Sequence, residues 1–263
     1  MVGGRLAARG RIAAVESAFL LRHAGGPFKV TLPSPLLFAQ VGYQPGRTDA
    51  VYPSRQDLLA EGAGILADEA RALAEEGVPY VQVDAPAYMR WLDPAAVSAQ
   101  RAAGVDPSRL LDAAIDADNL ILDAARSGGA VTGVHLCRGN SRGRWLVEGG
   151  YDPIAEQLFN RLRCDRLLLE YDTPRAGTFA PLRFVPAGRI VVLGLITTKS
   201  GELEPAEEIV RRIDAASRIL PLEQLALSPQ CGFASSQAGN PLTHDQQWRK
   251  LELVARVARE VWP

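Results

Sequence analysis

Residues 106–140 read DPSRLLDAAIDADNLILDAARSGGAVTGVHLCRGN, and they decide the fold class. Asp106 places a capping carboxylate ahead of Pro107, whose missing N–H costs nothing in a first helical turn. Leu110, Leu111, Ala114, Ile115 and Ile121 then recur at helical spacing and form one apolar stripe. Gly128 and Gly129 stop the helix, and residues 130–136 follow as a short run rich in valine that reads as a buried strand. A helix that leads directly into a buried strand is the repeating step of a parallel α/β sheet.

Runs of the same kind lie on either side. Residues 28–32, 80–84, 166–171, 189–196 and 224–228 read as five further strands, making about six strand-helix units. Asp152 and Pro153 repeat the Asp-Pro helix start. Glu204 and Pro205 open a helix carrying Ile209, Ile213 and Ala216, which Pro221 follows. Thr243 and Gln246 have capping-box spacing ahead of Trp248, Leu251, Val254 and Val257. The first residues read as a helix leading to the strand at Phe28. The expected architecture is α/β, a TIM-like (β/α)8 barrel that is incomplete at its N-terminus, because eight strands close such a barrel and six are found. Residues 1–263 read as a single domain, since no linker or low-complexity stretch divides them. An open wall of six strands leaves two edges, which predicts a homo-oligomer, a partner chain or a start further upstream.

The 263 residues carry a formal net charge of -1. That balance argues against nucleic acid and anionic membrane as partners, because both require a basic face. No run reaches the roughly 18 apolar residues of a membrane span, and the first residues lack a secretory signal's apolar core, so the expected compartment is the cytoplasm. Three cysteines, an odd number, direct attention to metal binding or catalysis rather than to disulfides.

His135 and Cys137 lie two apart at the end of a strand, so their side chains leave the same face. Glu170 ends the next strand and Cys231 follows the last, at the C-terminal rim where α/β barrels carry their functional groups. One nitrogen, two sulfurs and a carboxylate suit Zn2+. Each residue alone has an ordinary alternative: a buried cysteine is a small hydrophobe, a strand-end histidine a hydrogen-bonded group, a glutamate a solvated rim charge. Cys164 precedes its strand and reads as structural. His23 and His244 read as surface or capping residues. The Gly-Gly pairs at 25, 128 and 149 fall in no phosphate-binding fingerprint.

Four pieces in order, VQVDAP (81–86), HLCRGN (135–140), LLLEYD (167–172) and LSPQCGF (227–233), resemble the catalytic domain of cobalamin-independent methionine synthase, especially its shorter single-domain relatives. The epoxyalkane:coenzyme M transferases are similar too. The resemblance runs from about Lys29 to the C-terminus. It implies a barrel in which His135, Cys137, Glu170 and Cys231 hold zinc, and transfer of a methyl group from 5-methyltetrahydrofolate (5-methyltetrahydropteroyltriglutamate) to the thiol of homocysteine. Asp84 aligns with the aspartate that grips the amino group of homocysteine, with a turn or capping aspartate before Pro86 as the plain alternative. Ala85 stands where the family usually has glutamate.

Lys199 falls in the loop where the full-length synthase carries a histidine proposed as proton donor, and it serves in that role only if its pKa is lowered. A solvated loop lysine is the other reading. Arg138, Arg142 and Arg144 are candidates to receive an anionic tail, either glutamate or the sulfonate of coenzyme M, against an exposed basic loop. Trp145 is a candidate to stack on a pterin, against a packing role. The alternative enzyme keeps the zinc thiolate and changes the electrophile, as when coenzyme M attacks an epoxide. The non-enzyme alternative is a zinc-binding remnant or a partial barrel subunit.

Overall fold

The computed structural model describes residues 1–263. Six strands form one sheet: β1 (Val30–Pro33), β2 (Tyr80–Asp84), β3 (Val131–Leu136), β4 (Arg166–Glu170), β5 (Ile190–Ile196) and β6 (Leu225–Pro229). Each lies within two residues of the segment expected from its apolar run. The strands hydrogen-bond in chain order, β1 to β6, with parallel pairing at β1–β2, β4–β5 and β5–β6. The order ends at β1 and β6, so the α/β class holds and the sheet of this chain is not a closed barrel.

Eight α-helices accompany the strands: α1 (Ala14–His23), α2 (Pro35–Gly42), α3 (Arg55–Glu75), α4 (Pro94–Ala102), α5 (Pro107–Ser127), α6 (Ala155–Arg161), α7 (Ala206–Ser217) and α8 (His244–Val261). Contacts divide the chain into two compact units. One comprises Met1–Ala87, Ser98–Val134 and Arg161–Asp165; the other comprises Tyr88–Val97, His135–Asn160 and Arg166–Pro263.

In the first unit α5 forms as its sequence demands. Asp106 accepts from the backbone N–H groups of Ser108 and Arg109, and Leu110, Leu111, Ala114, Ile115 and Ile121 are all buried. Gly128 follows as the C-cap, and a Cβ there would lie 2.5 Å from the Ala74 Cβ, so the ends of α3 and α5 approach too closely for any other residue. Helix α3 carries its own capping box, in which Ser54 accepts from Asp57 N and the Asp57 side chain accepts from Ser54 N. A search for glutamate or glutamine three residues after the cap passes over it, because aspartate takes that place.

The second unit holds β4, β5, β6 and helices α6, α7 and α8. Ile209, Ile213 and Ala216 of α7 are buried as expected. Its start differs, because Pro205 occupies the N-cap without a side-chain bond and Glu204 reaches instead to Thr197 N and Lys250 Nζ. Helix α6 begins at Ala155, with residues 152–154 forming a turn on Tyr151 O rather than a first helical turn. Helix α8 has the expected box, Thr243 accepting from Gln246 N and Gln246 from Thr243 N. Its buried face runs through Lys250, Leu253 and Val257, while Trp248 is 67% exposed, so the stripe is rotated from the apolar spacing that starts at Trp248.

Candidate metal centre

Strand β3 delivers His135 and Cys137 from the same face, and the chain leaving β6 delivers Cys231. The His135 ring nitrogens and the two sulfurs offer ligand atoms that all lie within 4.8 Å of one another. Cys231 Sγ stands 3.5 Å from His135 Nε2. Tetrahedral zinc, with bonds of about 2.0–2.3 Å, sets its donors roughly 3.5–3.8 Å apart, so this pair fits with little adjustment. Cys231 has φ of +53°, a left-handed conformation that costs a non-glycine residue about 1–2 kcal/mol. The neighbouring chain holds it there: Gln230 N donates to Ile196 O at 2.7 Å, and Thr198 Oγ1 donates to Gln230 O at 2.6 Å.

The two thiols share a proton unequally. The hydrogen bond from Cys231 holds Cys137 well below the usual thiol range against burial, with His135 adding to the effect. That same bond, then burial, pushes Cys231 up.

Glu170, at the end of β4, is fully buried. Its Oε2 accepts from Arg138 N at 2.6 Å and from Gln230 Nε2 at 3.0 Å. Its Oε1 has no hydrogen-bond partner and faces only ion-pair contacts, with Arg175 Nη2 and, at 3.6 Å, Lys199 Nζ. Gln230 also donates to Cys231 Sγ and accepts from Lys199 Nζ, which ties the carboxylate to a thiol of the cluster. The structure thus brings three of the four expected ligands together, His135, Cys137 and Cys231, and leaves Glu170 outside that group, joined to it through Gln230; a nitrogen and two sulfurs are donors that zinc accepts.

Tyr151 fastens β3 to β4 behind the cluster. Its hydroxyl donates to Leu136 O at 2.8 Å and accepts from Glu170 N at 3.0 Å. Burial pushes the Tyr151 pKa up, so the hydroxyl keeps the proton it donates.

The remaining sequence candidates divide by environment. Arg138 is fully buried rather than part of an exposed basic loop, and its guanidinium donates to the carbonyls of Gly149, Glu170 and Ala176. Arg142 is exposed at φ +52° in a two-residue turn closed by Ser141 and Arg144. Trp145 is 45% exposed, with Nε1 donating to Glu148 Oε1 at 2.9 Å. Lys199 is not a solvated lysine, being buried with Nζ 3.1 Å from Asp172 Oδ2. Cys164 is buried apart from the His–Cys–Cys group, in the first unit. Asp84 closes β2 in the first unit, paired in register with Pro33, and its carbonyl accepts from Ser34 N.

Asp172, Arg175 and Gln230 surround Glu170, and sequence reasoning overlooks them. The available signal is that Asp172 lies two residues beyond the strand-end Glu170.

The fold and site define the class as a parallel α/β protein with a His–Cys–Cys group able to hold a metal ion at its strand ends, and the comparisons narrow it. Residues 47–252 match the cobalamin-independent synthase catalytic domain, and the chain belongs to that family. It is 41% identical over 238 residues to the Bacillus subtilis protein YxjH, covering 89% of this chain and 61% of that one. It is 23% identical over 207 residues to a methionine synthase of Pyrococcus abyssi, covering 78% and 50%. The chain thus spans about half to three-fifths of the length of these relatives. A B12-independent methionine synthase from Shewanella sp. W3-18-1, solved in complex with selenomethionine, shares the fold with a TM-score of 0.75 at 23% identity, over 98% of this chain and 69% of that one. No helix is long and apolar enough to cross a membrane.

Proposed function

We propose that this chain is a zinc-dependent S-methyltransferase domain that transfers a methyl group from 5-methyltetrahydrofolate to the thiol of homocysteine. The observation that carries the reading is the convergence of one ring nitrogen and two sulfurs within 4.8 Å, beside a buried carboxylate whose Oε1 lacks a hydrogen bond. His135, Cys137 and Cys231 would hold zinc, with Glu170 as the fourth and exchangeable donor. A zinc ion held there supplies a Lewis acid that lowers the pKa of a thiol, so that the sulfur reacts as a thiolate without any redox change.

The chain's own residues supply position and protons. Gln230 and the Arg138 amide hold Glu170 Oε2, and Oε1, which has ion-pair contacts but no hydrogen bond, is the candidate donor oxygen. Lys199, held against Asp172, is a cation close to Glu170 and is the candidate to deliver the proton that the departing folate amine takes up. Asp84 is the candidate to receive the amino group of homocysteine. The coenzyme M alternative draws its sulfonate contacts from the arginines after Cys137, and the guanidinium of Arg138 is already engaged by three carbonyls.

The test measures zinc per chain in the purified protein and in Cys231→Ser, together with proton release on adding homocysteine. One zinc per chain, its loss in Cys231→Ser and a proton released on thiol addition are expected. One zinc retained by Cys231→Ser overturns the ligand assignment. Zinc without a response to homocysteine overturns thiol activation and leaves the partial barrel subunit.

A further inference from the structure

Arg175 carries more hydrogen-bonding capacity than the protein uses. Its side chain is 7% exposed, and only Nη2 is engaged, in ion pairs with Glu170 and Asp172. Nε and Nη1 are buried without a hydrogen-bond partner, so three N–H bonds of a cation are unanswered. An unmet buried donor costs about 1–3 kcal/mol, and more when charged, so native proteins keep few of them without a use.

The Trp145 indole lies against this guanidinium, its ring centroid 4.8 Å from Arg175 Cζ. The two sides of this stack are held very differently. Arg175 is anchored, because its carbonyl accepts from Gly149 N at 2.9 Å and the adjoining Ala176 carbonyl accepts from buried Arg138. Trp145 is 45% exposed and follows an exposed two-residue turn, with one side-chain hydrogen bond to exposed Glu148. Around Glu170 and Asp172 stand four cations, Arg138, Arg175, Lys199 and Arg212, the last two interacting electrostatically with Asp172. The unanswered N–H groups of Arg175 therefore lie among other cations as well as carboxylates.

We propose that Arg175 is the receptor for the anionic group of the substrate, a carboxylate or sulfonate, with Trp145 as the cover that the anion displaces. The inference rests on the thiol-activating reading and deepens it: the thiols that suit this centre carry a negative group at the end away from sulfur. It also moves the anion contact from Arg138 to a residue 37 positions further along the chain.

The test titrates the full chain, as purified, with two thiols alike except in charge, 3-mercaptopropionate and 3-mercaptopropionamide. Calorimetry and tryptophan emission follow binding, and zinc is measured in each sample. The acid is expected to bind about tenfold or more tightly than the amide, in line with one charge-assisted hydrogen bond. Arg175→Gln should level the two, by weakening the acid while the amide still binds, compared in samples of equal zinc content. Trp145→Ala, at an exposed position that the core does not need, should tighten the acid alone and abolish the emission change.

Equal binding of both thiols by the wild-type chain, or a preference that survives in Arg175→Gln, overturns the subsite. If Arg175→Gln does not fold, an acid affinity unmoved by Trp145→Ala overturns it instead. If neither thiol binds, thiol activation fails on its own. Propionate, which has no sulfur, then decides the subsite by whether its binding quenches Trp145 and depends on Arg175.

Discussion

Two buried glutamates, one in each unit, differ in how fully their oxygens are hydrogen-bonded. Glu69 of α3 has both oxygens answered: Oε1 accepts from Ala13 N and Arg11 Nη2, and Oε2 accepts from Arg11 Nε and Ile12 N. Glu170 has Oε2 answered by Arg138 N and Gln230, and its Oε1 left without a hydrogen bond. Burying a charge is costly unless every lone pair finds a donor. Glu69 meets that condition and fastens the N-terminal segment to α3. Glu170 has hydrogen bonds on one oxygen only, and its other oxygen meets Arg175 Nη2 and Lys199 Nζ as ion pairs.

The largest effect that sharpens this contrast is expected from Arg138→Met. The change keeps much of the volume and removes the donors to three carbonyls, on the segment whose backbone N–H orients Glu170. Urea unfolding should show a loss of about 3–5 kcal/mol, the range for removing one partner from a buried charged network. A loss below about 1 kcal/mol would mean that the 138–150 loop is not held from its buried arginine.

Glu69→Gln should cost less, about 2 kcal/mol, because an amide nitrogen would face a backbone N–H that now finds an oxygen. Its pH dependence gives a second reading. Burial alone would raise the Glu69 carboxyl, but the bonds from Arg11, Ala13 N and Ile12 N outweigh it and hold the pKa below the usual carboxylate range. A folded-state pKa below the unfolded value of about 4.3 contributes stability that is present above that value and lost as pH falls through the folded one. The gap between wild type and Glu69→Gln should therefore be full near neutrality and close in acid. A gap independent of pH would separate the contribution of Glu69 from its charge.

The smallest effect marks the boundary of the comparison. Thr243→Ala removes an exposed capping box far simpler than either buried carboxylate and should lower stability by about 1 kcal/mol in thermal unfolding. Zinc content should not change. If it did, α8 would be coupled to the centre more tightly than a cap can explain.

What was legible in the sequence was local. Proline, glycine and capping residues carry their conformational preferences with them, so the six strands and the starts of α5 and α8 follow from neighbours in the chain. His135 and Cys137 share a face because a strand has a period of two, and Cys231 follows a strand for the same kind of reason. The His–Cys–Cys group was therefore readable as a spacing pattern, and the structure brings its ligand atoms together.

Only tertiary packing decided the rest. Whether Arg138 meets solvent or three carbonyls, whether Lys199 is solvated or held by Asp172, and whether Trp145 covers an arginine 30 residues away all depend on which loops share one end of the sheet. Arginine and lysine are equally at home on a surface and in a paired buried network, so composition and spacing are silent on the choice. The helices likewise disclosed their starts more readily than their buried faces. Lys250 turns inward and Trp248 outward on α8, because Glu204 and Glu202 O meet the lysine there. The sequence determined where elements begin and which donor atoms can share a face, since those are properties of adjacent residues. The tertiary structure decided which charges are buried and which remain unanswered, since a charge is satisfied only by groups that folding brings from elsewhere in the chain.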